Sequence, residues 1–331
     1  MTTKSLFLGI FGLFVVGSVV AYFWGGLAAV AATVLLAILE VSLSFDNAVV
    51  NASVLKRMSP LWQNRFITWG IPIAVFGTRF LFPLLIVAVV AGLNPIEVLK
   101  LAFFDGEAYG HELEKSHVAI AAFGGAFLLM VFFSFFLNSE KHIHWMQVLE
   151  KNLARLGRLE SMPVIAGVLT ILGFSYFLPE EFSATVLESG LWGLLIYILI
   201  NSLTSFLEQR EKAMIASSAG LSLFVYLQFL DASFSLDSVI GAFAINSDIV
   251  IIALGLGIGA FAVRSLTLYL VRRETLSHYL YLEHGAHYAI GALALLMLLG
   301  IPFHIPEIVT GTIGVLFIIV IAPLVGFTSN I

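Results

Sequence analysis

Apolar runs long enough to cross a bilayer recur along the whole chain, separated by short polar connections. Ten stand out, at roughly 5–24, 27–54, 66–92, 117–137, 163–179, 189–207, 214–241, 248–272, 287–301 and 307–327. About 20 apolar residues of helix span a hydrocarbon core, so the pattern predicts an all-α polytopic membrane protein with about ten transmembrane helices. The first run has a longer apolar core than a signal peptide and only Lys4 before it, which makes it a span. Trp24-Gly25-Gly26 predicts a short turn between the first two spans.

Composition agrees. The set AVILMFWYC makes up 60% of 331 residues, charged residues 11%, and the mean hydropathy is +1.02, whereas soluble domains are about a quarter charged. A net charge of -5 argues against nucleic acid as a partner. The absence of cysteine excludes disulfides, iron–sulfur clusters and thiolate metal sites. The redox compartment stays open.

The loops orient the chain, because cytoplasmic segments retain Lys and Arg. With the N-terminus inside, the inner segments hold Lys4, Lys56, Arg57, Arg65, Lys141, Lys151, Arg155, Arg158, Arg210, Lys212, Arg272 and Arg273. The outer loops hold only Lys100 and Lys115, twelve against two. Both termini are therefore expected in the cytoplasm, with the protein in a bacterial inner membrane. The longest loops, about 93–116 and 138–162, are too short for a soluble domain, so 1–331 is read as one transmembrane domain.

Two segments repeat. Glu40-Val41-Ser42-Leu43-Ser44-Phe45-Asp46-Asn47 and Asp231-Ala232-Ser233-Phe234-Ser235-Leu236-Asp237-Ser238 both fit acid-x-Ser-x-Ser-x-Asp-(Asn/Ser). Gly70 and Arg79 are nine apart in the next span, as are Gly255 and Arg264. His117, Gly124 and Leu128-Leu129-Met130 then match His284, Gly291 and Leu295-Leu296-Met297. The matched spans lie five apart, and an odd offset inverts one copy relative to the other. Two inverted repeats are expected, about 5–179 and 189–327, an arrangement that transporters use to hold substrate at broken helices near the midplane. Breaks are expected near 42–46 and 233–237, where serines can compete for backbone carbonyls.

Four carboxylates fall inside spans: Glu40, Asp46, Asp231 and Asp237. Each costs about 2.5–3.5 kcal/mol at a helix centre, so each is a functional candidate. Arg79 and Arg264 offset two charges, and one divalent cation or two protons would offset the rest. At about 100° per residue, Glu40 shares a face with Ser44 and Asn47, and Asp231 with Ser235 and Ser238. Oxygen ligands of this kind suit Mn²⁺, Ca²⁺ or Mg²⁺. Asn51 is an accessory ligand candidate, and Asn201 an interhelical hydrogen-bonding one. Arg79 and Arg264 read equally as tethered cations that replace a departed metal or as structural ion pairs. Glu283, His284 and His287 form an E-H-x-x-H string expected at a solvated helix end. His142, His144 and the acidic loop from Asp105 to Glu114 are expected in solvent, the loop concentrating cations.

Glu40 to Asn47 followed by Val49, with Ser235 to Ser238 in the second copy, resembles the paired acidic motifs of TerC-family integral membrane proteins, a group related to LysE-type exporters. The resemblance covers roughly 30–137 and 214–300. It implies export of divalent metal, chiefly Mn²⁺, and an association with tellurium resistance. It also implies Glu40, Asp46, Asn47, Asp231, Asp237 and Ser238 as metal or proton sites. Ser44, Asn51, Arg79, Ser235 and Arg264 are accessory or proton-coupling candidates from their own positions in the spans. The chain departs from that pattern in its larger number of spans and in Asp231 at the first acid of the second copy. Metal/proton exchange is the expected coupling, with sodium as competitor. No enzymatic activity and no prosthetic group are expected, and the oligomeric state stays open. Two rivals remain: an intramembrane aspartyl protease with Asp46 and Asp237 as its dyad, although a Gly-x-Gly-Asp segment is absent, and a non-transporting membrane partner in metal or stress response.

Overall fold

A computed structural model describes residues 3–303 apart from 140, 142, 158, 160, 214–219, 247 and 273–281. Among the described residues the chain forms helices and no strand. Among the described residues six helices are long and apolar enough to cross a membrane: Phe7–Leu43, Gly70–Val89, His117–Phe136, Glu180–Phe206, Ile249–Val271 and His284–Phe303. Two shorter apolar helices are Met162–Phe177 and Leu221–Ser235. The expected last span, 307–327, lies outside the described residues. Large apolar side chains such as Phe23 and Phe104 stand more than four-fifths exposed while charged ones are buried, the inverse of a soluble surface. The chain is a helical membrane protein.

Helix α1 is Thr3–Leu43. Its 41 residues would make a rod of about 60 Å, twice the hydrocarbon thickness. It is instead divided at Gly25 (φ -150, ψ 23) and Gly26 (φ 69, ψ -156), and the latter conformation is open essentially to glycine alone. The directions of the two arms follow from what they touch on α13 (Ile249–Arg272). Gly9 lies on Phe261, Gly17 on Ile258, and the Trp24 indole N–H donates to Asp248 Oδ2 at 2.7 Å. The first arm therefore runs against α13. In the second arm Thr33 and Leu36 meet Gly255, and Ala37 and Glu40 meet Gly259. That arm runs with α13, so the two arms form a hairpin.

Helix α2 (Phe45–Leu55) continues the second arm beyond a kink at Ser44 (φ -103, ψ 14). The ladder survives there: Ser44 N–H donates to Glu40 O at 2.9 Å and Ala48 N–H to Ser44 O at 3.3 Å. The expected break near 42–46 is thus a bend, not an unwound segment. The matching expectation for 233–237 is corrected outright, because α12 (Leu221–Ile245) is helical throughout. Its serines bond back to carbonyls already within their own helix: Ser233 to Phe229 O, Ser235 to Asp231 O and Ser238 to Ser235 O, at 3.1, 2.6 and 3.0 Å. Such bonds add an acceptor contact without removing a ladder donor. Residues 246–248 join α12 to α13, and Asp231 meets Arg264 about equally far from the turn on each side. The pair is antiparallel, so α12 runs opposite to the second arm of α1.

Between these lie α3 (Pro60–Thr68), the single turn α4 (Gly70–Pro72), a π-helix at Ile73–Leu81 and α5 (Phe82–Ala91). Pro72 and Pro83 flank the widened segment and each withdraws a backbone donor. The connection after α5 folds as α6 (Pro95–Phe104) and α7 (Gly106–Lys115), capped by Asn94 and Asp105, whose side chains accept the N–H of Ile96 and Ala108 at 2.9 and 3.1 Å.

The chain forms two compact units, each from two stretches of sequence. Unit one comprises Met1–His117 and Leu207–Glu274. Unit two comprises Val118–Phe206 and Thr275–Ile331. Its described helices are α8 (His117–Phe136), α9 (Gln147–Leu156), α10 (Met162–Phe177), most of α11 (Glu180–Ala213) and α14 (Leu282–Phe303). Phe132 packs on Gly291 and Tyr288, and Gly125 on Ala294 and Leu298, so α8 and α14 are antiparallel.

Candidate functional site

The first acid of each repeat, Glu40 and Asp231, meets Arg79 and Arg264 inside unit one. Glu40, Ser44, Asn47 and Asn51 occupy one face through α1 and α2, and all are buried, Glu40 and Asn51 completely. Asp231, Ser235 and Ser238 form the corresponding buried face of α12. Arg79 comes from the π-helix and Arg264 from α13; both are buried.

These groups form a chain of charges. Arg79 NH2 donates to Glu40 Oε1, which also accepts the Ser44 hydroxyl at 2.9 Å. Arg79 NH1 lies 3.8 Å from Asp231 Oδ2 and donates to Ala74 O at 3.0 Å. Arg264 NH2 donates to the same Asp231 oxygen at 2.7 Å and to Gln228 Oε1 at 3.1 Å. Arg264 NH1 donates to Phe66 O at 3.1 Å, and its guanidinium lies 4.5 Å over the Phe66 ring. The order is Glu40–Arg79–Asp231–Arg264, two anions alternating with two cations. The four charges cancel, which is the condition under which such groups tolerate hydrocarbon.

Room for this chain comes from residues without side chains. A Cβ on Gly70 would collide with the Arg264 guanidinium, and one on Gly259 would sit 2.5 Å from Glu40 Cβ. Spare hydrogen-bonding capacity remains along the same helices. Glu40 Oε2, Arg79 Nε, Arg264 Nε and both amide atoms of Asn51 are buried without a hydrogen-bond partner among the described residues. Polar atoms left in that state within a bilayer call for water or a bound ion.

The candidate residues thus divide. Glu40, Ser44, Arg79, Asp231 and Arg264 are in direct contact. Ser235 and Ser238 share the Asp231 face and spend their hydroxyls on backbone carbonyls. The side chains of Asp46 and Asp237 lie outside the described residues. Among the described residues no three His, Asp or Glu side chains come together as a metal-holding group. Glu40 and Asp231 are already held by guanidinium groups. Gln228 was not anticipated, although a lone Gln in an apolar span three residues before Asp231 is a visible signal; nor was Thr78, whose hydroxyl accepts from Arg79 NH1 at 3.4 Å.

Unit one also holds a cavity of about 660 Å³, lined in part by Trp24, Lys100, Asp105, Glu107 and Asp248. Asp248 there caps α13, accepting the Val250 N–H at 2.8 Å.

Unit two contains a second polar cluster that the sequence hides. Glu150 on α9 has a fully buried side chain. Lys141 Nζ lies 3.0 Å from its Oε2, and the Tyr288 hydroxyl donates to its Oε1 at 3.1 Å. The backbone N–H groups of Trp145 and Met146 donate at 3.2 and 3.3 Å. His284 Nε2 is 3.4 Å away and also contacts Ile143 O at 2.9 Å. Burial alone would raise the carboxyl's pKa. The Lys141 hydrogen bond, the charges of His284 and Lys141 and the Met146 N–H outweigh it and hold Glu150 below the usual carboxylate range. This corrects the expected solvated helix end: His284 and His287 are buried, and His287 stacks on Phe135 at 3.7 Å. The cause is the connection after α8, which folds back and delivers Lys141 and Glu150 onto the start of α14. His144 is half-buried beside the same carboxylate, 3.8 Å from Oε2, rather than in open solvent. His142 and the Glu283 side chain lie outside the described residues.

No curated protein and no solved structure matches the chain significantly. The matched family model begins after Glu40 and takes in Asp46, Arg79, Asp231, Asp237 and Arg264. It covers residues 45–329, and the chain belongs to that family, DUF475, described as a protein of unknown function.

Proposed function

We propose that this protein transports a divalent metal ion, exporting Mn²⁺ through unit one by exchange with protons. The observation that carries the reading is the neutral chain Glu40–Arg79–Asp231–Arg264, buried where two copies of one acidic motif lie on helices of opposite direction. Those directions support ten spans in two inverted repeats. The TerC-like pairing and the absence of thiols favour a hard or borderline-hard cation.

The division of labour follows from charge. Glu40 and Asp231 neutralise Arg79 and Arg264, so Asp46 and Asp237, six residues further along each motif, carry the two negative charges left over. One divalent cation or two protons balance them. Binding a cation requires both carboxylates deprotonated, which links metal uptake to proton release at the same groups. Glu40 Oε2 and the Asn51 amide oxygen, six residues before Asp46 and five after it, have oxygen lone pairs to spare, and the acidic residues at the cavity beside Trp24 draw cations toward one end of the unit.

The test is flux through purified protein in liposomes across a panel of Mn²⁺, Ca²⁺ and Mg²⁺. Mn²⁺ flux should respond to an imposed pH gradient, and Asp46→Asn or Asp237→Asn should each abolish most of it. Flux driven by a sodium gradient and indifferent to pH would overturn the coupling. Absence of flux for every ion, with folded protein, would overturn the transporter and leave the protease or the non-transporting partner.

A further inference from the structure

Helix α9 is the most strongly amphipathic of the described helices, and no described residue covers its outward face. At about 100° per residue, Leu149, Leu153 and Leu156 fall on one flank, Lys151, Arg155 and Val148 on the other with Asn152 between, and Glu150 and Ala154 on the buried side. Leu156 is 51% exposed and Leu149 48%, so this apolar flank is uncovered among the described residues. Lys151 and Arg155 are exposed and have no carboxylate partner among the described residues.

Where the helix sits matters as much as its pattern. Helix α8 ends at Phe136, α10 begins at Met162 and α14 begins at Leu282, so three apolar helices reach their ends together around it. Glu150 ties α9 to Tyr288 near the start of α14, and the Phe136 ring packs on Tyr288 at 4.4 Å. The ten residues make about 15 Å of helix, too short to cross a bilayer but well placed to lie across helix ends at its surface. An apolar flank beside a cationic edge is the pattern of helices that lie in the membrane interface.

We propose that α9 is an anionic-lipid binding helix, lying in the plane of the membrane with Leu149 and Leu156 among the acyl chains and Lys151 and Arg155 on phospholipid phosphates. The buried Glu150 cluster sets its depth and rotation. Each basic residue near an anionic surface favours the lipid by about a factor of five.

The cysteine-free chain allows a clean test. Spin labels are placed on Leu149→Cys or Lys151→Cys in the full protein, held in nanodiscs of phosphatidylcholine mixed with phosphatidylglycerol. The label at 149 should be relaxed more by lipid-dissolved oxygen than by a water-soluble nickel chelate, and the label at 151 the reverse. In label-free protein, the preference of spin-labelled phosphatidylglycerol over phosphatidylcholine should fall about fivefold in Lys151→Gln and further in Lys151→Gln/Arg155→Gln. A label at 149 open to the nickel chelate would overturn the proposal. So would one shielded from both reagents, which would mean a protein covers the face, or a lipid preference unchanged in the double variant.

Discussion

Glu40 and Arg79 answer to each other before they answer to any ion. Removing one member of a buried pair strands the other charge, at a cost of about 3–5 kcal/mol, whereas removing both costs far less. Glu40→Gln should therefore lower the thermal unfolding midpoint in detergent sharply, and Glu40→Gln/Arg79→Gln should recover most of the loss. A double variant as unstable as the single one would mean the pair is not the stabilising unit. Glu150 makes a different residue-scale prediction. Its carboxyl is held below the ordinary glutamate value of about 4.3, so its contribution is whole above that pH and lost as pH falls through the lowered folded value. Acidification from pH 6 to about pH 3 should thus destabilise the parent more than Glu150→Gln. Equal slopes for the two proteins would refute it. The four residues of the charge chain were legible in the sequence as costly letters repeated at fixed spacing. Their partners were not: neither spacing nor composition says that Arg79 reaches both Glu40 and Asp231. Glu150 was invisible because a Glu in a basic, polar connection reads as solvent-exposed, and only the fold-back onto Tyr288 buries it.

At the scale of elements, close approach decides which helices can pair. Gly259 faces Glu40 with no space for a methyl group, whereas a Cβ on Gly257 would meet Val75 at an ordinary 3.4 Å. Gly259→Ala should cost about 1–3 kcal/mol by forcing α13 off the second arm of α1, and Gly257→Ala well under that. Comparable unfolding midpoints for the two variants would argue against tight contact there. The hairpin at Gly25-Gly26 was readable from composition, since two adjacent glycines after Trp24 interrupt an apolar run too long for one crossing. The state of α12 was not. Its Ser-x-Ser-x-Asp string supports either an unwound segment or a helix whose hydroxyls fold back on its own carbonyls, and local sequence does not distinguish them. The π-helix carrying Arg79 was likewise beyond reach, although the flanking prolines mark the segment as irregular.

For the whole molecule, orientation is the part most open to direct measurement. Single cysteines at Lys56 and Lys151 should react with an impermeant maleimide from one side of the membrane, and at Glu112 and Glu181 from the other. All four reacting from one side would overturn the ten-span reading. The helical membrane class follows from composition alone, because no soluble fold hides so much apolar surface. The division into two units does not, since each is assembled from stretches far apart in sequence. That discontinuity has a consequence for biogenesis. Glu40 and Arg79 leave the ribosome close together, but Asp231 and Arg264 follow only after residues 118–206 have been made. At 5–20 residues per second that intervening stretch takes roughly 4–18 s. Glu40 and Arg79 are therefore both made well before Asp231 and Arg264, so any pairing of the first two during synthesis has only each other to draw on.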